Sequence, residues 1–454
     1  MNATPASAGS DERAAAVRRG ALRDLVLAVV VLVGFFAVAS VVFAPAYGIL
    51  PLEGDNFHVF SWADRTAASA IYAADPGIYP EWRPLAYLTV WLQYQAVGLS
   101  TMGPYVVGNL LLLAACAWLV YYLVLVESGS RFGAIAAALF ALTDPRLLYA
   151  AVWIVERQSS MACLFGLAAL VLSERYAREP LGGVPGLLAA GALLVASALS
   201  KEYGLAFAGA IGLHALLRRR YGVAAVAAGA VACYAGFRVL AVQGALRQYC
   251  ESMGYFFDVR AVCVDGVQPA FLPQALYNAG ATLVGSLVPG LFRRDGLIAL
   301  ERMRLLVGLL GCGFAVVGWR TRSALLRTAL MVVVANAALN FLLYRDRNQF
   351  IAVFAIALAI GAGIPASERW MVRTFGRPVI VRVLLATLLL GAVSVDARRT
   401  YRDGVAQRAR ILGNDPCADT APGDLLEQQF ANRVRARYGL AGHPCGATQA
   451  KPGA

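Results

Sequence analysis

Leu25-Val26-Leu27-Ala28-Val29-Val30-Val31-Leu32-Val33-Gly34-Phe35-Phe36-Ala37-Val38-Ala39-Ser40-Val41-Val42 is an unbroken apolar run, and its apolar character continues to Tyr47. About 20 such residues in a helix cross the hydrocarbon core of a bilayer. The run is long for a signal peptide and is poorly followed by a cleavage site, so it reads as a retained anchor. The rest of the chain is of the same kind. Its 454 residues are 59% hydrophobic and 15% charged, where a soluble domain has about 45–50% apolar and about 25% charged residues. Comparable segments lie near 104–126, 132–147, 150–172, 183–199, 203–217, 222–241, 304–319, 327–343, 349–364 and 380–396. The expected fold is therefore all-α, a polytopic membrane protein with about 11 transmembrane helices. Two further stretches, 84–99 and 271–292, carry Pro, Gln or Asn and read as interfacial helices or extra spans.

Charge orients these helices. The net charge is +13, almost all from Arg, with Lys only at 201 and 451. Short cytoplasmic loops of membrane proteins concentrate Arg and Lys. Arg13, Arg18, Arg19 and Arg23 precede the first span, and Arg131, Arg175, Arg178 and Arg218-Arg219-Arg220 recur at alternate turns. Residues 1–23 are thus expected to be a disordered cytoplasmic tail and 24–396 one helical membrane domain, with outer loops at 48–103 and 242–303. Residues 397–454 are expected to be a short polar tail on the outer side. Its Arg398, Arg399, Arg402, Arg408 and Arg410 oppose that placement. Cys250 and Cys263 in one outer loop, with Cys417 and Cys445 in the tail, favour it as disulfide candidates, since disulfides persist outside the cytosol. The pattern Leu425-Leu426-x-x-x-Phe430-x-x-x-Val434 fits a helix folded back on the domain. No basic patch with interleaved aromatics, no Gly-rich phosphate loop and no zinc spacing is present, so nucleic acid is set aside as a partner.

The uncommon polar residues gather at the outer helix ends. They are Glu53, Asp55 and His58; Arg83; Asp144; Glu156-Arg157-Gln158; Lys201-Glu202; and Tyr344-Arg345-Asp346-Arg347. Carboxylates this close to hydrocarbon have a task or a partner. Glu53 and Asp55 are suited to general-base work, to holding a divalent cation, or to a solvated loop. Glu156-Arg157 and Lys201-Glu202 are suited to structural ion pairs or to anion binding, and Arg83 to anchoring a helix at the headgroups. Together the clusters suggest an outward cavity with carboxylates and an anion-binding wall, as transfer of a sugar from a lipid-linked phosphate requires.

Trp82-Arg83-Pro84-Leu85-Ala86-Tyr87-Leu88-Thr89, followed by Gly103-Pro104-Tyr105-x-x-Gly108-Asn109-Leu110-Leu111-Leu112, resembles the "FRPL … HLVNLLLH" region of GT-C-type polyprenyl-phosphate-sugar glycosyltransferases. Ala141-Leu142-Thr143-Asp144-Pro145, Ala151-Val152-Trp153-Ile154-x-x-Arg157, Leu199-Ser200-Lys201-Glu202 and Tyr344-Arg345-x-Arg347-Asn348 continue the similarity. It extends over about residues 25–410, with the tetratricopeptide-linked O-mannosyltransferase type and its bacterial relatives as the subgroup. The resemblance implies a GT-C-like fold in which 84–99 and 271–292 are outer juxtamembrane helices. It also implies a bacterial inner-membrane enzyme with its active face in the periplasm. The donor would be a polyprenyl-phosphate sugar and the acceptor a glycan, lipid or protein. Asp55 would be the catalytic base, Glu53 its acidic companion and Asp144 the second acidic position. Arg157, Lys201, Arg345 and Arg347 would bind the donor phosphate, with Arg83, Glu156 and Glu202 in support. No cofactor is required beyond a possible divalent cation. The chain departs from the pattern in having Asn56 after Asp55, Asp144-Pro145 in place of His-Pro, and no tetratricopeptide array after the last span. Two other readings stay open: a transporter of lipid-linked sugars, for which Arg238, Asn336 and Asn340 are the intramembrane candidates, and a catalytically silent relative.

Overall fold

The computed structural model describes residues 8–50, 54–65, 67, 83–99, 102–178, 183–241, 271–287, 302–320, 323–340, 349–413, 417, 425–438 and 440. The helices are α1 (Ala8–Val42), α2 (Gly54–Arg65), α3 (Pro84–Val97), α4 (Gly103–Ser128), α5 (Arg131–Thr143), α6 (Leu148–Val152), α7 (Arg157–Arg178) and α8 (Gly183–Ser200). They continue with α9 (Leu205–Leu217), α10 (Tyr221–Ala241), α11 (Phe271–Leu287), α12 (Arg302–Arg320), α13 (Ala324–Leu339), α14 (Phe350–Phe375), α15 (Pro378–Leu412) and α16 (Leu425–Tyr438). Among the described residues there is no strand.

The axis of the bundle is α14. It is apolar on every side from Phe350 to Ile364, the pattern of a helix surrounded by other helices. Its most apolar stretch is 100% buried, against 17% for α1, whose Leu25, Val26, Val30 and Val33 are exposed as a lipid-facing surface would be. α14 packs against α4, α5, α7, α12, α13 and α15. Small residues let the partners approach. A side-chain carbon added at Gly363 would lie 2.1 Å from the Phe314 carbonyl oxygen of α12, and one at Gly361 2.6 Å from Val124 of α4.

All eleven apolar segments are helical over most of their length. Among the described residues, six helices are long and apolar enough to cross a membrane, or up to seven if the bent pair formed by Arg131–Thr143 and Pro145–Val152 counts as one span. The difference from eleven has identifiable sources. α7 carries Arg157, Glu174, Arg175 and Arg178, α12 carries Arg302, Arg304 and Arg320, and α9 and α13 are short. Segment 84–99 yields the 14-residue α3; at 1.5 Å per residue it is about 21 Å long, too short to span. Segment 271–292 yields α11, 17 residues long.

Within the expected tail 1–23, residues 8–23 lie in the first part of α1; Ala14-Ala15-Ala16 and the flanking Arg and Glu are strong helix formers. α15 runs for 35 residues, from Pro378 to Leu412, through the position at which the polar tail was expected to begin. At about 52 Å it outruns a bilayer core of about 30 Å, so its Arg-rich half is a continuation of the span and not a loop. That half packs on the 3-10 turn Ala44–Gly48 that follows α1, where Gly404 meets Pro45 and Leu148. Thr400 Oγ1 donates to the Thr143 carbonyl at 2.8 Å. α15 therefore emerges at the bundle end where α2 begins. α16 folds back there, its Phe430 ring edge-on to Phe57 of α2 at 5.3 Å and its Arg433 paired with Asp64.

Because Gly363 meets backbone, Gly363→Ala is expected to lower the melting temperature of the detergent-purified protein, with overpacking costing about 1–3 kcal/mol. Gly391→Ala on α15, where nothing lies within 4 Å, is expected to leave it unchanged.

Candidate functional site

A break in the third apolar segment starts the site. Pro145 lacks an amide hydrogen and restricts the residue before it, so α5 stops at Asp144. Asp144 ends α5 and caps the 3-10 turn Pro145–Leu147, its Oδ1 accepting from the Arg146 amide at 2.9 Å. The two helical pieces meet at a bend of 53°. At the bend Arg146 grips Asp144 with two parallel hydrogen bonds, Nε to Oδ1 at 2.9 Å and Nη2 to Oδ2 at 2.5 Å. Arg146 Nη1 also donates to Gln349 Oε1 at 3.0 Å, just before α14, and to the Gly285 and Ser286 carbonyls of α11 at 3.3 and 3.4 Å. Both charged groups are buried.

The next pair joins α7 to α8. Lys201 Nζ donates to Glu156 Oε2 at 3.0 Å, to Oε1 at 3.3 Å and to Ser159 Oγ at 2.8 Å, and the Ser159 hydroxyl donates to Glu156 Oε2 at 2.5 Å. Each charged partner is 4% exposed, so either one left alone would be a bare charge in the interior. One residue further, Glu202 accepts Arg83 in fork geometry, Nε to Oε2 at 3.0 Å and Nη2 to Oε1 at 2.6 Å. Arg83 stands just before α3, so this pair fixes that helix across the ends of α7 and α8. Burial alone would raise the Glu202 carboxyl. The Arg83 guanidinium, its hydrogen bonds and Lys201 outweigh that and hold it well below the usual carboxylate range.

Arg157 is held differently. Nε donates to Asn109 Oδ1 at 2.9 Å, Nη1 to the Thr89 carbonyl at 3.4 Å, and Nη2 to Gln93 Oε1 at 2.6 Å and the Tyr105 carbonyl at 3.3 Å. Every nitrogen has a partner, yet none of these oxygens carries a charge. The guanidinium passes Gly108, where an added side-chain carbon would lie 3.1 Å from Nη2. Asn109 completes the clasp by donating to the Ala150 and Trp153 carbonyls at 2.9 and 3.3 Å.

Of the residues singled out from the sequence, Arg83, Asp144, Glu156, Arg157, Lys201 and Glu202 all come to this one end of the bundle. With Arg146 they arrange as three ion pairs and one hydrogen-bonded cation. Asp55 is the second residue of α2, which packs here through Phe60 against Tyr105 at 4.9 Å; its side chain is outside the described residues. Glu53, Arg345, Arg347, Cys250, Cys263 and Cys445 also lie outside them. Cys417 is disulfide-bonded, and its sulfur accepts from Arg435 of α16 at 2.9 Å. Among the described residues no group of three or more His, Cys, Asp or Glu could hold a metal ion. Sequence reasoning missed Arg146, whose signal was an opposite charge two residues after Asp144 in an apolar stretch. It also missed Asn109 and Gln93, which hold Arg157, and Asp64. Asp64 accepts from Tyr94 Oη at 2.6 Å and from Arg433, tying α2 to α3 and α16. Burial and the Asp64 carboxylate push the Tyr94 hydroxyl well above its usual range, so it remains a donor.

No family model matches the chain. Over 128 residues it is 30% identical to a protein O-mannosyl-transferase, Tmtc1, of Drosophila melanogaster. The matched stretch is 28% of this chain and 15% of that protein's length. The similarity is that of a distant family relationship, compatible with a membrane glycosyltransferase.

Lys201→Met is expected to destabilise the fold by about 3–5 kcal/mol, because it strands the Glu156 carboxylate. Adding Glu156→Gln is expected to recover part of that loss, read as melting temperature in detergent. The Arg83–Glu202 pair has its own pH signature. The Glu202 carboxyl titrates lower in the folded chain than in the unfolded chain, so the pair's contribution is complete above about pH 4.3, the unfolded value, and is lost as pH falls through the depressed folded value. The difference in melting temperature between wild type and Glu202→Gln is expected to be flat from pH 8 to about pH 5 and to shrink below it.

Proposed function

We propose that the chain is a membrane glycosyltransferase that moves a sugar from a polyprenyl-phosphate donor to a hydroxyl of a glycan, lipid or protein acceptor, at the bundle end that gathers the buried charges. The observation that carries this reading is Arg157. Asp144, Glu156 and Glu202 neutralise Arg146, Lys201 and Arg83, whereas among the described residues no carboxylate pairs with Arg157. A buried cation held only by neutral oxygens projects a positive potential, and an anionic substrate at the headgroup level is drawn to it. The distant O-mannosyltransferase relationship agrees with that chemistry.

In this reading Asp55, in the first turn of α2, takes the proton from the acceptor hydroxyl. The acceptor oxygen attacks the anomeric carbon from the face opposite the phosphate. The bond from that carbon to the phosphate oxygen breaks, its electron pair leaves with the polyprenyl phosphate, and the configuration inverts. Glu53 assists Asp55, or shares a divalent cation with it. Arg345 and Arg347 precede Gln349, which binds Arg146, by four and two residues; with the potential of Arg157 they stabilise the departing phosphate, and Lys201 supports the site by holding Glu156. Asp144 is the second acidic position, and it acts by holding Arg146. Arg83, Glu156 and Glu202 keep the supporting helices in register. In this reading the protein is a multi-pass protein of the inner membrane, and the disulfide candidates fit an active face in the periplasm.

The test is transfer of label from polyprenyl-phosphate sugars in membranes holding equal amounts of wild type or variant. Asp55→Asn is expected to reduce transfer by about 100-fold or more, the size of a general-base contribution. Full transfer in Asp55→Asn and Glu53→Gln would remove the catalytic assignment.

A further inference from the structure

The bundle end opposite the candidate site carries a second recess. Its walls include Ser173 and Glu174 of α7, His214 of α9, Arg220 before α10 and Thr328 of α13. The His214 ring is buried, and its Nε2 has no hydrogen-bond partner. An imidazole nitrogen left so is costly unless a ligand reaches it. The charged neighbours of the ring are the guanidiniums of Arg218, Arg220 and Arg327. The backbone is committed to this grouping. Arg219 adopts a left-handed φ of 57°, rare outside glycine, and the Arg220 amide closes the turn on the Ala215 carbonyl at 2.8 Å.

The shape of the recess is selective. Its closed inner part has room for about one water-sized group, such as a single phosphate oxygen, and the remainder opens outward. A second recess adjoins it along Glu174 and is walled largely by apolar side chains, among them Leu123, Val126, Val171 and Leu325. Two carboxylates border the pair. Glu127 accepts from Ser323 Oγ at 3.3 Å, and Glu174 is likewise engaged.

We propose that this recess binds the phosphate of an anionic lipid headgroup, with one phosphate oxygen accepting from His214 Nε2 in the inner space, Arg220 beside it, and an acyl chain along the adjoining apolar recess. A neutral apolar occupant would leave Nε2 unpaired. A single water would satisfy Nε2 and leave the three guanidiniums without an anion. A soluble phosphate would satisfy both and leave the apolar recess uncovered.

The experiment titrates the full chain, purified in a neutral detergent, with phosphatidylglycerol, with phosphatidylcholine and, separately, with inorganic phosphate, and reads melting temperature and lipid retained in native mass spectra. Phosphatidylglycerol is expected to give a saturable upward shift, and the other two none. Arg220→Gln and His214→Phe are each expected to move the phosphatidylglycerol midpoint up by about tenfold, as loss of one hydrogen bond to a charged group does. Arg220 is half-buried, so Arg220→Gln supplies the answer should His214→Phe not fold. An equal shift from phosphatidylcholine, or an unchanged midpoint in Arg220→Gln, would overturn the site. A shift from inorganic phosphate matching that from phosphatidylglycerol would overturn the lipid as its source.

Discussion

Ionised side chains inside a helical bundle are stable only when each finds its partners within the protein, because the surroundings offer no water. This constraint organises the functional end of the molecule. Glu156 with Lys201 and Glu202 with Arg83 join elements far apart along the chain, and Asp144 with Arg146 clamps the bend between two adjacent helical pieces. Through them α3 is fixed across α7 and α8, and the bend after α5 is fixed to α11 and to the start of α14. Removing one partner leaves a charge that nothing else can satisfy, so the pairs act as registers for the helices as well as contributors to stability.

Arg157 stands apart from that pattern and gives it a functional sense. It satisfies the geometry of a buried guanidinium through Asn109, Gln93 and two carbonyls while keeping its charge uncompensated within that clasp. The paired carboxylates nearby neutralise the other cations without cancelling this one. A bundle end so arranged holds a positive potential among rigid helices, the preorganisation that stabilises a leaving phosphate. α2, with Asp55 in its first turn, is brought to the same place by Phe60 on Tyr105, Phe57 on Phe430 and the Asp64 link to α3 and α16.

The opposite end carries a cluster of guanidiniums. Arg218, Arg219 and Arg220 turn at the end of α9 beside a buried His214, and an apolar recess runs on from them. The two ends thus differ in kind: one closes all its described buried cations but Arg157 with carboxylates, and the other sets Arg220 beside a recess with a vacant imidazole nitrogen.

The apolar runs determined from sequence that the chain is all-helical, since burial of twenty-residue apolar segments admits few alternatives, and the rare charges Arg83, Asp144, Glu156, Arg157, Lys201 and Glu202 were legible as one group. Hydropathy did not determine which helices carry enough charge to fall short of a simple span, and propensity decided the helical start at Ala8 only once a continuous helix followed it. The pairing of charges was decided by the tertiary structure alone. Lys201-Glu202 and Glu156-Arg157 read as neighbours along the chain, yet Lys201 pairs with Glu156, Glu202 with Arg83, and Arg157 with no carboxylate among the described residues. Adjacent residues point to different sides of their backbone, so which acid meets which base depends on how α3, α7 and α8 cross, and that geometry exists only in the assembled bundle.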